Sequence, residues 1–355
     1  MLTSLPLFIA GLTILLVGAE LLVRGASRAA ALLRVSPLVI GLTVVAFGTS
    51  SPEFAITLRA AFTDYAADMA LGNVVGSNIA NVLLVLGLAA ALSPIVVTQR
   101  VIRVHAPAMV AASVLMGLLA LDGSLSGGDG LVLLAALGGY ITLTLLRDRR
   151  ILLPATTPPA PNGGGGRAAI QIAAGALLLG TGAWLLVEAA TSLAAIMGVS
   201  ELLIGLTAVA VGTSLPELAT TVAAFRQGEQ QMAVGNILGS NIFNVLAILG
   251  TAAILTPHGV PVPAQALYFD LPVMTAVAIA CLPVFLTGHS IARWEGWLFL
   301  GYYVAYCGFL FLAATEHAAQ GLFGTSILLF ALPLTLLTLA VGVIRHLRRA
   351  SDRLL

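Results

Sequence analysis

Residues 41–53 read GLTVVAFGTSSPE, and the pattern returns at residues 205–217 as GLTAVAVGTSLPE, with ten of thirteen positions identical. Each copy is an apolar run that ends in small polar residues, a proline and a glutamate. The two copies lie 164 residues apart in a chain of 355 residues, which indicates an internal duplication. Whatever role Glu53 has is therefore expected of Glu217 as well.

The rest of the chain has the composition of a membrane protein. Hydrophobic residues make up 59% of it, charged residues 9%, and the mean hydropathy is +1.05. Apolar stretches long enough to cross about 30 Å of hydrocarbon recur throughout, and their glycine and alanine content suits packed helices better than barrel strands. We therefore predict an all-α polytopic protein whose main partner is the lipid bilayer. The net charge of +1 forms no basic face, which excludes nucleic acid as a partner.

The apolar stretches divide the chain into two sets of five spans and one extra span. The predicted spans are 5–23, 37–60, 69–93, 104–121 and 130–146, then 168–188, 201–225, 231–255, 267–287 and 294–314, and finally 322–344. This organisation predicts a first repeat at 1–150, a Pro/Gly-rich cytoplasmic linker at 151–167, a second repeat at 168–315, and an additional helix with a basic cytoplasmic tail at 316–355.

The basic residues predict the orientation of these spans. All sixteen are arginine, and fifteen fall on one side of the predicted membrane, with only Arg59 on the other. Because basic loops stay in the cytoplasm, we expect an inner (plasma) membrane protein with its N-terminus outside and its C-terminus inside. The basic loop after span 1 corresponds to a neutral or acidic loop after span 6, as expected for two five-span copies inserted in opposite directions.

A second duplicated motif reads GNVVGSNIANVL at 72–83 and GNILGSNIFNVL at 235–246, with nine of twelve positions identical. On a helix Ser77 and Asn81 share one face, as do Ser240 and Asn244, because residues four apart are neighbours. We expect these faces to line one cavity. Taken alone, glycine-rich segments of this kind are also typical of close helix packing.

The proline of each G-T-S-x-P-E segment must kink or unwind its span, because it removes a backbone donor. Carbonyl groups near residues 46–49 and 210–213 are thereby freed, beside the hydroxyls of Thr49, Ser50, Thr213 and Ser214. Neutral oxygens together with carboxylates suit Na+ or Ca2+, and not Zn2+ or copper.

The two glutamates need a charged partner. A carboxylate at bilayer depth costs at least about 2.5 kcal/mol, yet the chain contains no lysine and no arginine at a comparable depth. A divalent cation, several sodium ions or protons remain as partners. The expected partners are thus inorganic cations, and no cofactor is expected.

These motifs resemble the sodium/calcium exchanger-like antiporters of the cation/Ca2+ exchanger superfamily, prokaryotic type. The resemblance rests on G-T-S-x-P-E and G-N-x-x-G-S-N-I-x-N, each present twice, and covers both five-span halves. It implies two inverted five-helix repeats and a midplane site between spans 2, 3, 7 and 8. It also implies alternating access and an electrogenic exchange of about three Na+ for one Ca2+.

The resemblance also implies which residues bind the transported ions. Glu53 and Glu217 would ligate Ca2+, together with backbone carbonyls near Thr49 and Thr213. For Na+ the matching positions are the carbonyls of Ala46 and Ala210 and the hydroxyls of Ser50, Ser77, Ser214 and Ser240, with Asn81 and Asn244 facing the centre. Several relatives have an aspartate where this chain has Asn244, so only two acids remain here, which argues against potassium coupling.

Three other functions compete with Na+/Ca2+ exchange as explanations of these motifs. An intramembrane hydrolase using Ser50 or Ser214 lacks a histidine or lysine base at matching depth, so no enzymatic activity is expected. A cation channel fits polar spans, but inverted repeats with broken helices favour alternating access. Exchange of Ca2+ for H+ stays open, because a buried glutamate is neutralised by a proton as readily as by a metal. His105 and Asp270 occupy similar places in the two halves and are left outside the site.

Overall fold

The computed structural model describes residues 4–61, 67–149, 164–196, 210–315, 317 and 319–327, and isolated positions between 332 and 344. Eight helices in the described parts are long and apolar enough to cross a membrane. They are Leu5–Leu33, Ala70–Leu92, Val101–Asp122, Gly127–Arg147, Gly165–Ser192, Gln230–Leu255, Ala266–Leu286 and Arg293–Ala314, and they match predicted spans 1, 3, 4, 5, 6, 8, 9 and 10. The predicted all-α membrane fold is confirmed.

Spans 2 and 7 are broken helices. Span 2 consists of Pro37–Thr49 and Ser51–Arg59, which are bent by 44° relative to each other. The described part of span 7 consists of Ala210–Thr213 and Leu215–Arg226. The predicted start of span 7 and most of the predicted run at 322–344 lie outside the described residues, apart from a short helix at Gln320–Ser326.

The breaks follow from the two prolines. Ser50 and Ser214 leave the helical conformation with nearly equal angles, φ −81° and ψ 5° against φ −88° and ψ 2°. Pro52 and Pro216 then come second in the next half-helix, where a missing N–H is tolerated. Each half-helix therefore begins one residue after its serine and carries its glutamate in the first turn.

Several spans contain one π-helical turn. These turns cover Gly41–Val45, Asn81–Leu86, Val101–His105, Asn244–Leu249 and Ala266–Asp270. Four of them form two pairs at equivalent positions of the two repeats. Because two π-turns begin at Asn81 and Asn244, they widen spans 3 and 8 at residues predicted to face the ions, which is a common place for such turns.

Two short antiparallel strand pairs, which the sequence did not predict, connect the repeats. Ile95–Val96 pairs with Ser290–Ile291, and Ser124–Leu125 pairs with Val260–Pro261. In each pair one strand comes from the first repeat and the other from the second. The two repeats are therefore joined through loops as well as through packed helices.

Spans 3 and 8 form the centre of the molecule. In each of them 83% of the most apolar 18-residue segment is buried, whereas the buried share of the corresponding segment in the other six single-helix spans lies between 11% and 39%. One apolar cluster surrounds this centre with residues of spans 4, 5, 9 and 10, and a second lies between spans 1 and 6 and neighbouring parts of spans 2, 7 and 8. Residues of spans 3 and 8 are thus shielded from lipid.

Glycines bring spans 1 and 6 into backbone contact. Span 1 has Gly11, Gly18 and Gly25 at seven-residue spacing, and span 6 has Gly175 and Gly182. A Cβ atom built on Gly175 would lie 2.5 Å from the backbone nitrogen of Leu22, and one on Gly182 would lie 2.5 Å from that of Leu15. Small residues of this kind allow helices to pack closely in a membrane. Larger side chains here would force the two spans apart.

Candidate cation site

The broken spans bring their polar residues together with the polar faces of spans 3 and 8. Eleven of the twelve predicted site residues have described side chains, and each is at most 7% exposed. They are Ala46, Thr49, Ser50, Glu53, Ser77, Asn81, Thr213, Ser214, Glu217, Ser240 and Asn244. The twelfth, Ala210, begins the last helical turn before the break in span 7, where its predicted contribution is a backbone carbonyl.

Glu53 is held between spans 3 and 7. The hydroxyl of Ser77 donates to Glu53 Oε1 at 3.1 Å and lies 3.4 Å from the hydroxyl of Ser214. Glu53 belongs to span 2, Ser77 to span 3 and Ser214 to the break in span 7. One predicted carboxylate ligand and two predicted hydroxyl ligands therefore meet at the junction of three spans.

Glu217, the equivalent residue of the second repeat, has a related environment. The hydroxyl of Ser50 donates to Glu217 Oε1 at 3.3 Å. The hydroxyl of Thr49 lies 3.3 Å from that of Ser240, and 3.2 Å from the carbonyl oxygen of Ala46. These contacts join span 2 to spans 7 and 8.

Five buried polar atoms of these predicted residues have no hydrogen-bond partner in the described parts of the chain. They are Oε2 of Glu53, Oε2 of Glu217, Oδ1 and Nδ2 of Asn81, and Oδ1 of Asn244. Buried polar atoms are normally satisfied, so a group of exceptions needs an explanation. Four of the five are oxygens of the kind that Na+ and Ca2+ prefer, which fits a site for transported cations.

The site contains few acids for its number of oxygens. Within the described residues, no group of three or more His, Cys, Asp and Glu side chains is placed to hold a metal ion. The donor set combines two carboxylates with hydroxyl, amide and carbonyl oxygens. This chemistry suits a hard cation that exchanges, and does not suit a tightly held transition metal.

The sequence interpretation missed Asn73 and Asn236. Asn73 Nδ2 donates to the carbonyl oxygen of Glu53 at 3.2 Å and to Thr57 Oγ1 at 3.0 Å. Asn236 Nδ2 donates to Thr220 Oγ1 at 3.0 Å, and Asn236 Oδ1 accepts from Thr49 Oγ1 at 3.1 Å. Both asparagines lie within the duplicated motif, four residues before Ser77 and Ser240. The same four-residue spacing that places Ser77 beside Asn81 and Ser240 beside Asn244 places Asn73 and Asn236 on the same helix faces, and this signal could have identified them.

A second pair of asparagines connects spans 3 and 8 directly. Asn244 Nδ2 donates to Asn78 Oδ1 at 3.1 Å, and Asn78 Nδ2 donates to the carbonyl oxygen of Asn241 at 3.2 Å. Asn244 is therefore anchored through its nitrogen, and its oxygen has no hydrogen-bond partner among the described residues. An aspartate at this position would lose the donor to Asn78.

A cavity of about 160 Å³ reaches the site between spans 2 and 8. Phe47 and Phe243 contact each other edge to face on its wall, with ring centroids 5.7 Å apart. The remaining lining residues are Ser50, Phe54, Ala247, Ile248 and Thr251. Since Ser50 also donates to Glu217, the cavity ends one side chain away from a carboxylate.

His105 and Asp270 have equivalent partners in the two repeats. His105 Nδ1 lies 3.0 Å from the hydroxyl of Tyr140, and the hydroxyl of Tyr306 donates to Asp270 Oδ1 at 3.0 Å. Each pair joins a span to the next one along the chain. The similar places of His105 and Asp270 in the two repeats thus extend to similar hydrogen-bond partners.

The comparisons with known proteins agree with this architecture. The pattern of the sodium/calcium exchanger protein family matches residues 3–146 and 167–312. The chain is 38% identical over 326 residues to the putative antiporter CaxA of Alkalimonas amylolytica, covering 88% of this chain and 99% of that protein. It is 34% identical over 341 residues to the sodium/calcium exchanger MaX1 of Methanosarcina acetivorans, covering 85% and 96%.

Solved structures of the sodium-calcium exchanger NCX_Mj share the fold. One of them, soaked with 2.5 mM Na+ and 0.1 mM Ca2+, superposes with a TM-score of 0.72 at 30% sequence identity, covering 85% of this chain and 96% of that chain. The predicted inverted repeats match that fold. The family pattern, the relatives and the fold agree: this chain is a member of the sodium/calcium exchanger family.

Proposed function

We propose that the protein is a secondary-active antiporter that exchanges about three Na+ for one Ca2+ at a midplane site. The observation that carries this proposal is the pair of fully buried glutamates, one from each repeat. In each glutamate one carboxylate oxygen accepts a hydrogen bond from a serine, and the other oxygen has no partner among the described residues. Each glutamate lies at the start of a half-helix that follows a break, which is where transporters of inverted repeats place their ion sites.

Charge balance supports exchange with net charge movement. The two carboxylates carry two negative charges, which one Ca2+ neutralises. Three Na+ at the same site leave one excess positive charge, so each cycle moves one positive charge across the membrane. Because both kinds of ion need the same two carboxylates, occupation by one displaces the other.

The residues divide by the kind of oxygen that they offer. Glu53 and Glu217 ligate Ca2+ with backbone carbonyls near Thr49 and Thr213, because a divalent cation benefits most from full negative charges. Na+ makes additional use of neutral oxygens, which are the carbonyls of Ala46 and Ala210 and the hydroxyls of Ser50, Ser77, Ser214 and Ser240. Asn81 and Asn244 face the centre of this set.

Under the predicted orientation the site is approached from outside. Span 8 then runs outward, and Ala247 and Thr251 of the cavity wall follow Asn244 along it. Span 2 runs outward as well, so ions reach Ser50 from the side of Phe54 and Thr251, and leave on the cytoplasmic side once the broken spans have moved. We place the protein in the inner (plasma) membrane with its C-terminus in the cytoplasm.

Transport in proteoliposomes tests the proposal. We expect Ca2+ uptake when vesicles loaded with Na+ are diluted into Na+-free medium, and faster uptake when valinomycin and K+ hold the vesicle interior positive, because net positive charge leaves with Na+. Uptake driven by a pH gradient and indifferent to Na+ would establish the Ca2+/H+ alternative. Uptake without any counter-ion gradient would establish a channel.

A further inference from the structure

We infer that Thr220 is a positioning residue for Na+, acting on Thr49 through Asn236. This inference rests on the proposed function and concerns a residue outside the predicted ligand set. The three side chains form a hydrogen-bond chain, Thr220–Asn236–Thr49, that runs from span 7 through span 8 to span 2. All three residues are at most 1% exposed.

The direction of each hydrogen bond follows from the number of protons available. The single hydroxyl proton of Thr220 goes to its own helix, because Oγ1 lies 2.7 Å from the carbonyl oxygen of Pro216 and 3.0 Å from that of Glu217. Thr220 Oγ1 can therefore only accept from Asn236, which requires the Asn236 amide nitrogen on that side. The amide oxygen of Asn236 then faces Thr49 and accepts its proton.

This chain decides where the one proton of Thr49 points. Thr49 Oγ1 lies 3.1 Å from Asn236 Oδ1, 3.2 Å from the carbonyl oxygen of Ala46 and 3.3 Å from the hydroxyl of Ser240. The Ser240 hydroxyl has a proton of its own to donate to Thr49, whereas the two carbonyl-type oxygens can only accept. The Ala46 carbonyl, a predicted Na+ ligand, already accepts from the backbone N–H of Ser50 at 3.0 Å, so donation by Thr49 would occupy its second lone pair. Donation to Asn236 leaves that second lone pair available and turns the lone pairs of Thr49 Oγ1 away from Asn236. Thr220 thus keeps two neutral oxygens ready for a cation.

The first repeat uses a different threonine for the equivalent asparagine. The residue equivalent to Thr220 is Ile56, which has no hydroxyl. Asn73, the equivalent of Asn236, instead donates to Thr57 and to the carbonyl oxygen of Glu53. The two repeats therefore fix the amide of this asparagine through threonines at non-equivalent positions, Thr220 in one and Thr57 in the other.

Removing the hydroxyl of Thr220 should weaken Na+ binding more than Ca2+ binding. In Thr220→Val the Asn236 amide loses its fixed orientation, and Thr49 is free to donate to Ala46. One such neutral hydrogen bond is worth about a three- to tenfold change in affinity. We expect the half-saturating Na+ concentration to rise by about that factor, while the Ca2+ value changes less than about twofold, because Ca2+ depends chiefly on the two carboxylates.

The experiment measures both ions on the full-length chain. Half-saturating Na+ and Ca2+ are determined from transport in proteoliposomes and, separately, from the rise in melting temperature of the detergent-solubilised protein with each ion. The matched control is Thr221→Val, because Thr221 is also fully buried but its hydroxyl has no hydrogen-bond partner among the described residues. Thr220→Ser keeps the hydroxyl and should restore the wild-type Na+ value.

The possible results separate this inference from the proposed function. A Na+ shift confined to Thr220→Val, with Thr220→Ser and Thr221→Val close to wild type, supports the hydrogen-bond chain. Equal shifts for Na+ and Ca2+, or no shift relative to Thr221→Val, overturn it while Na+/Ca2+ exchange stands. If Thr220→Val does not fold, the Na+ to Ca2+ ratio is taken from Thr220→Ala, with the same two outcomes. If the wild-type protein neither binds Na+ nor transports Ca2+ in response to a Na+ gradient, both this inference and the proposed function are wrong.

Discussion

Replacing Glu53 by glutamine removes one of the two charges that the proposed site offers to Ca2+. The substitution keeps the size of the side chain and can still accept from Ser77, whose hydroxyl lies 3.1 Å from Oε1. Folding should therefore be preserved. Without ions the variant should be as stable as wild type or more stable, because a buried carboxylate with an unpartnered oxygen is costly.

The expected loss of affinity is large. At a Ca2+–oxygen distance of about 2.4 Å and an effective dielectric constant of about 20, one carboxylate attracts Ca2+ by about 14 kcal/mol, most of which offsets the dehydration of both groups. Removing one partner of a buried charge pair typically costs about 3–5 kcal/mol, which weakens binding roughly 150- to 5,000-fold. Glu217→Gln should behave in the same way, because Glu217 is equally buried.

The assay combines thermal stability with transport. Ca2+ at about 100 times its dissociation constant should stabilise the wild-type protein by about 2.7 kcal/mol, and this effect should vanish in Glu53→Gln together with Ca2+ uptake. Glu188→Gln serves as the control, because Glu188 is exposed and lies outside the site. If Glu53→Gln keeps the Ca2+-dependent stabilisation and transports at the wild-type rate, the assignment of this carboxylate to the ion site is wrong.

Three further predictions follow from the same geometry. Ser77→Ala and Ser240→Ala should each raise half-saturating Na+ by about three- to tenfold and change the Ca2+ value less, measured as uptake against ion concentration, because each removes one neutral oxygen; equal effects on both ions would count against these ligands. Asn244→Asp should change the charge moved per Ca2+ or its dependence on pH, since a third carboxylate recruits another cation or a proton, and unchanged values would mean that position 244 does not face the ions. Gly175→Ala should lower the free energy of unfolding by about 1–3 kcal/mol through overpacking, which a lower melting temperature would show. Gly117→Ala, with no described atom within 4 Å of the new Cβ, should leave the melting temperature unchanged. Equal melting temperatures of the two variants would contradict the close contact of spans 1 and 6.

The features that could be predicted from the sequence are those that depend on local sequence patterns present in both repeats. Spans are visible because crossing lipid requires long apolar runs, and the breaks are visible because Pro52 and Pro216 cannot continue a helix. The inverted arrangement was predictable because each copy has an odd number of spans. Glu53 and Glu217 stand out because carboxylates are costly among apolar residues.

Other features depend on contacts between distant parts of the chain. The role of Asn236 becomes apparent only when Thr49 and Thr220, from two other spans, are seen on either side of it. The strand at Ile95–Val96 has two residues and no pattern of its own, since its partner Ser290–Ile291 lies almost 200 residues away. The division of the chain into domains at 150, 167 and 315 stays a prediction.

The two strand pairs bear on how the protein arose. Ile95–Val96 and Val260–Pro261 occupy the same place in their repeats, as do Ser124–Leu125 and Ser290–Ile291, so both pairs are the same contact made twice. Each five-span repeat therefore carries both strands that the contact needs. Two copies of one repeat, inserted in opposite directions, would close both membrane faces with identical contacts. Duplication of one unit thus supplies the connections on both faces at once, while the repeats differ elsewhere, as at Ile56 and Thr220.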